Sequence, residues 1–249
     1  MSITLIMLIM AAVFIGAFIR AIFGFGEAVV SMPLLALLSV DLHTSISLVG
    51  LAGLTVALFT VVSSWRDVEK PTLVRLVMGA LIGIPLGLLL VIQLPASIVT
   101  VGLGVFLIVY GSYSFWKISL AKVSQKSKLQ AKFWAIPAGI VSGTLGSAYN
   151  SHGVPVVVYG TLRRWEPKRF RGTLQAHFLI SGIFIVVGQA LGGLWTQDLF
   201  LLFGLSLPAI IVATLLGMIL YKRIPNEKFE RYVFLLLVVL GCLLLVNPA

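Results

Sequence analysis

Arg20 and Glu27 lie where ionisable residues are expensive. Both belong to the run Arg20-Ala-Ile-Phe-Gly24-Phe-Gly26-Glu27-Ala-Val-Val-Ser31-Met-Pro33, inside an otherwise apolar stretch. Charged groups at membrane depth usually pair with one another or line a pathway. Two roles stand side by side for them. They form a structural ion pair that pins a broken helix, or Arg20 holds an anion while Glu27 takes up a proton. Gly24 and Gly26 permit a tight bend, or let backbone N–H groups approach an anion closely. In both cases a helix starts near Gly26 and points its dipole and free N–H groups at the break, which favours negative charge.

A second polar run reads Gly143-Thr-Leu-Gly146-Ser147-Ala-Tyr149-Asn150-Ser151-His152-Gly153-Val-Pro155. Ser147, Tyr149, Asn150, Ser151 and His152 cannot all be satisfied in lipid. A polar cavity suits them, and hydroxyl, amide and imidazole donors can coordinate an oxyanion. The alternative is a hairpin tip that caps its own helix ends. His152 titrates near neutrality when unperturbed. Gln175 and His177 differ by about 200° around a helix and face different ways. Gln189 reads as interfacial, and the lone Cys242 as a packing residue. Pro85 and Pro208 should kink the spans that contain them. No nucleophile–base set, metal-ligand spacing, P-loop or dinucleotide fingerprint occurs. The sequence therefore predicts no catalytic residues, no metal and no cofactor.

These residues must be positioned by membrane helices. The 249 residues are 59% hydrophobic and 10% charged, with a mean hydropathy of +1.11. A soluble chain averages about 25% charged residues, so cytosolic enzymes, disordered regulators and disulfide scaffolds are excluded. Apolar segments run at about 3–22, 26–40, 44–64, 72–92, 96–116, 133–149, 153–162, 173–193, 198–221 and 232–247. They are apolar nearly all round, as in lipid-embedded helices, without the alternation of a barrel strand. The N-terminus has no basic n-region and does not read as a secretory signal. Trp65, Trp116, Trp165, Trp195 and Tyr221, near segment ends, read as interfacial anchors.

Charge orders the loops. Seventeen of the 18 Lys and Arg residues fall in 64–75, 117–132, 163–171 and 222–231. The connections 39–44, 92–97 and 196–198 hold none. By the positive-inside rule the four basic loops face the cytoplasm and the C-terminus faces out. The +10 net charge is thus topological and calls for no nucleic acid. The stretch 132–163 starts and ends on the cytoplasmic side, so a single crossing is forbidden. A re-entrant hairpin with an irregular tip fits it better than two short crossings. The stretch 1–40, broken at FGFGEA, has the same form.

The halves also repeat. Gly24 and Pro33 match Gly146 and Pro155 at one spacing; Trp65, Pro95 and Gly111 match Trp195, Pro225 and Gly241 at another. Matched loops carry opposite charge character, so the halves are inverted. The predicted fold is an all-α polytopic membrane protein of about eight to ten hydrophobic helices. It is a single domain over 1–249: repeat 1 (about 1–116), a cytoplasmic linker (117–132) and repeat 2 (about 133–249). Inverted repeats, each with a broken helix pair, place a substrate site near the midplane. No ATPase segment is present, so transport would draw on a gradient.

GFGEAVVSMPLLALL (24–38) resembles the first Gly-rich motif of the TauE/SafE family of sulfite exporters. GTLGSAYNSHGVPVVVYGTLRRW (143–165), followed by FRGTLQ (170–175), resembles its second-half counterpart. On this resemblance Gly24, Gly26 and Pro33 match one motif, and Gly146, Gly153 and Pro155 the other. Glu27 departs from the commoner glycine. The resemblance implies a permease for small sulfur-containing anions, such as sulfite or organosulfonates, in a bacterial inner membrane. The expected function is alternating-access export, coupled to protons through Glu27 or to the membrane potential. Arg20, Gly24, Gly26, Ser147, Tyr149, Asn150, Ser151 and His152 would bind the anion. Uptake of an organic carboxylate or sulfonate, and a passive anion channel, are the alternatives. Oligomeric state, including a homodimer, stays open.

Overall fold

The computed structural model describes residues 2–62, 64–119, 132–221, 235 and 238–246, and no strand occurs among them. Among the described residues nine α-helices are bounded as follows: α1 Ile3–Phe23, α2 Glu27–Leu37, α3 Leu42–Val62, α4 Lys70–Gln93, α5 Ala96–Ser119, α6 Ala135–Tyr149, α7 Gly153–Leu162, α8 Pro167–Leu191 and α9 Gln197–Leu220. Residues 238–246 are also helical. Among the described residues six helices are long and apolar enough to cross a bilayer: α1, α3, α4, α5, α8 and α9. The chain is a polytopic membrane protein. Most of the basic stretch 117–132, all of 222–231, and Pro225 with its proposed match to Pro95 lie outside the described residues.

The two predicted breaks are helix–turn–helix hairpins, and the ends of their arms follow from local chemistry. The Ser2 hydroxyl caps α1 by accepting from Leu5 N at 3.3 Å. Gly24 ends α1 at φ 82°, and Gly26 precedes α2 at φ 99°. Those left-handed angles suit glycine, so the chain reverses within three residues. In the second hairpin Asn150 takes the left-handed position at φ 54°, which Asn tolerates better than most side chains. α2 folds back along α1, where the Ser31 hydroxyl donates to Ala12 O at 3.1 Å. A Cβ on Gly16 would collide with Ser31 and the Glu27 carbonyl.

The hairpins point in opposite directions. α4 packs most extensively against α6, and the register Gly79–Gly139, Gly83–Ile140 and Gly87–Thr144 makes the two helices parallel. α3 runs beside α1 in the same sense, and the short connection at 63–69 reverses α4. Hence α6 runs opposite to α1, and the tips at Gly24–Gly26 and Asn150–His152 enter from opposite ends of the bundle. Loops 64–75 and 163–171 share one end, tied by Glu69 N donating to Thr173 Oγ1 at 2.9 Å. Loops 39–44 and 196–198 share the other, where the Thr44 and Thr196 hydroxyls meet at 2.8 Å. The predicted segregation of charge by end is therefore present for the described loops.

Several details differ from the sequence reading. α8 begins at Pro167, not near 173. Proline is favoured at the first helical position, and the basic turn Lys168–Arg171 continues the helix out of the apolar zone. The residue equivalent to Gly24 by position is Asn150, and the helix starts Glu27 and Gly153 share that spacing of 126 residues. Gly146, matched to Gly24 by type, lies one turn earlier, inside α6. Glycine matches alone slide by a helical turn, whereas helix ends do not. Gln189 is fully buried, not interfacial. Cys242 is exposed on the apolar exterior, not packed.

Candidate functional site

The half-helices α2 and α7 begin beside one another in the interior. Gly26, Glu27, Ser151, His152 and Gly153 line a single cavity of about 20 Å³, room for roughly one water. Arg20 from the last turn of α1, Asn150 and Phe178 of α8 complete it. Of the residues expected to bind the anion or carry the proton, six converge here: Arg20, Gly26, Glu27, Asn150, Ser151 and His152. A second cavity of about 10 Å³ lies against the same Arg20–Glu27–Asn150–His152–Phe178 cluster. It is walled by α3 (Val49, Gly50, Gly53, Leu54) and α8 (Gly182, Ile185, Val186). The cluster thus stands between two small chambers.

Arg20 and Glu27 form the electrostatic centre. Arg20 Nη1 donates to Glu27 Oε2 at 2.7 Å, with 4% and 3% of their side chains exposed. The bond uses only part of either group. Arg20 Nε and Nη2 and Glu27 Oε1 are buried without a hydrogen-bond partner among the described residues. The guanidinium lies 4.5 Å from the centroid of the Phe178 ring. That ring also meets His152 edge-on at 4.7 Å. Burial of this kind strengthens every charge interaction and makes an unpaired charge costly.

Glycines make room for the pair. A Cβ on Gly53 would stand 2.7 Å from Arg20 Nη1 and 2.8 Å from Glu27 Oε2. A Cβ on Gly50 would stand 2.7 Å from Gln189 Oε1 and 3.0 Å from Asn150 Oδ1. Neither glycine, nor Phe178, was legible as a site residue. Each lies in an apolar run, and only the tertiary crossing of α3 and α8 brings it to the centre.

The other predicted residues are nearby but turned elsewhere. Ser147 Oγ donates to Ile84 O at 2.8 Å, which fastens α6 to α4. Tyr149 carries its hydroxyl toward Gly102 of α5. Gly24 presents its carbonyl to Gln175 Nε2 at 2.9 Å. His177 Nε2 contacts Ser142 Oγ at 2.8 Å, and that hydroxyl also reaches the His152 carbonyl at 2.6 Å. Gln175 and His177 do face different neighbours, and neither lines a chamber. Among the described residues no group of three or more His, Cys, Asp and Glu could hold a metal.

Opposed hairpins whose short helices start at a shared ionisable centre, in a bundle of membrane-crossing helices, are the architecture of a membrane transporter. The chain belongs to the TauE/SafE sulfite exporter family, whose sequence model matches residues 8–244. No curated protein and no solved structure gives a significant match. The family is described as one of sulfite exporters, which are membrane transporters.

Proposed function

We propose that this chain exports a small sulfur-containing anion by alternating access, holding it between the N-termini of α2 and α7. The observation that carries the reading is the cavity those two half-helices share with Arg20. Two helix N-termini supply free N–H groups and positive dipole ends. Arg20 supplies two donors that Glu27 does not use. Ser151 and Asn150 add neutral donors, and Gly26 lets the backbone come close. Gly24, Ser147 and Tyr149 act by holding the tips in place.

Glu27 gives the reading its coupling step. An incoming anion competes with the Glu27 carboxylate for Arg20. Protonation of Glu27 releases the guanidinium, and one anion then replaces one carboxylate charge. The buried site keeps its net charge, which avoids the cost of an uncompensated ion. Each transported monovalent anion would then travel with one proton, an electroneutral step that runs outward down the anion's own gradient. The proposed setting is a bacterial inner membrane, with basic loops in the cytoplasm and the C-terminus outside. The proposed repeats are 1–116 and 133–249.

The test is uptake of labelled sulfite into proteoliposomes under a pH gradient, with unlabelled sulfoacetate, sulfate and acetate as competitors. Saturable flux that a sulfonate inhibits supports the reading. Non-saturable flux would make the protein a channel, and preferential inhibition by acetate would move the substrate to carboxylates. Glu27→Gln is expected to leave flux that no longer responds to pH. Persistence of the wild-type pH profile would remove Glu27 from the coupling step.

A further inference from the structure

We propose that Gln175 and Gln189 are paired latches on α8, each closing one of the two routes to the centre. The proposal rests on the alternating-access reading above. Both side chains are fully buried, and neither lines a chamber. They lie 14 residues apart, which is about 21 Å and close to four helical turns, so they share one face of α8. Phe178 and Gly182 lie between them on that face, against the ion pair.

Each glutamine ties one hairpin tip to the same two helices. Gln175 Nε2 donates to Gly24 O at 2.9 Å, and its Oε1 accepts from Thr60 Oγ1 of α3 at 2.9 Å. Gly24 ends α1, where carbonyls lack helical partners and need outside donors. At the other end Gln189 Nε2 donates to Asn150 Oδ1 at 3.2 Å, while Asn150 Nδ2 donates to Ile46 O of α3. α3 and α8 thus form a frame that grips the first tip near the basic-loop end and the second tip near the opposite end. Arg171, one turn before Gln175, reinforces the first grip: its Nη2 reaches Ala21 O at 3.5 Å.

Releasing one latch frees one tip and leaves the other held. That is the requirement for opening the centre to one side at a time. Both latches are closed here, with the ion pair buried between them.

Cysteine accessibility tests this without any sulfur anion, so a wrong substrate assignment does not affect it. Cys242→Ser removes the native thiol, and Ser151→Cys places a reporter in the chamber. Oriented membrane vesicles are then treated with an impermeant maleimide from either face. Gln175→Met is expected to raise labelling from the basic-loop face, and Gln189→Met from the opposite face. Each rise should be on the order of 2- to 10-fold, the population shift that loss of one neutral hydrogen bond produces. If a Met variant fails to insert, the shorter Gln→Asn variant at the same position keeps the polarity but not the reach, and predicts the same face. Equal rises on both faces, or no change in either variant, would overturn the proposal.

Discussion

Arg20 and Glu27 are held at contact distance between two small chambers, and the closest glycine sets which neighbours can vary. Gly53 approaches both partners closely enough that a single methyl group must displace one of them. Gly182, on the facing helix, would bring its Cβ only to ordinary contact with Leu54 at 3.6 Å. Gly53→Ala is therefore expected to lower sulfite flux at least tenfold, while Gly182→Ala stays within twofold of the native protein, as read in the proteoliposome assay. Removing Arg20 alone would strand a buried carboxylate at a cost of about 3–5 kcal/mol. The informative variant is Arg20→Ala with Glu27→Gln, which leaves no orphaned charge. Its half-saturation concentration should rise, and an unchanged value would take Arg20 out of the anion site. At this scale the sequence was legible wherever a residue broke the local apolar pattern. Arg20, Glu27 and the Asn150–His152 run stood out for that reason. Gly50, Gly53 and Phe178 conform to the pattern, and only packing gives them their role.

Helix contacts divide into firm and yielding ones. α4 and α6 approach so closely along Gly79, Gly83, Gly87, Gly139 and Gly143 that a Cβ at any of these positions meets the other helix's backbone. Close backbone approach through small residues is how membrane helices pack without a hydrophobic driving force. Ser147 and Thr144 add hydrogen bonds to the Ile84 and Gly83 carbonyls beside Pro85. Gly83→Leu should therefore lower thermal stability in detergent sharply. Gly204→Ala, with nothing within 4 Å of the added Cβ, should leave the melting temperature unchanged. A tolerated Gly83→Leu would show that α4 and α6 do not move as one body. Element existence could be read from hydropathy, and the start of α2 from Gly26, whereas the basic first turn hid the start of α8 at Pro167. The arm lengths of the hairpins could not, because glycines that end a helix and glycines that admit a neighbour look alike in sequence. Gly24 is of the first kind and Gly146, pressed against His152, of the second.

Over the whole molecule, charge and geometry make a joint prediction. Loops 64–75 and 163–171 lie at one end of the bundle. Reporter fusions should place both on the cytoplasmic side and the C-terminus outside. A periplasmic signal from either basic loop would invert the proposed direction of every step above. The opposed direction of the two hairpins was legible in loop charge, because charge marks a side of the membrane and not a contact. What contacts what across the halves was not legible, because lipid-embedded helices are apolar on every face and no stripe marks the partner.

Those cross-half contacts affect how the protein is made. α1 packs chiefly on α9, and α6 on α4, so each hairpin leans on a helix that belongs to the other half. α1 leaves the ribosome well before its main neighbour, α9, which begins only at Gln197. Through most of synthesis the first hairpin, with its buried charges, must wait in the membrane without that support. On these contacts neither proposed half is expected to fold by itself. Two separately expressed halves should accumulate only when they are present together, each acting as the assembly template for the other.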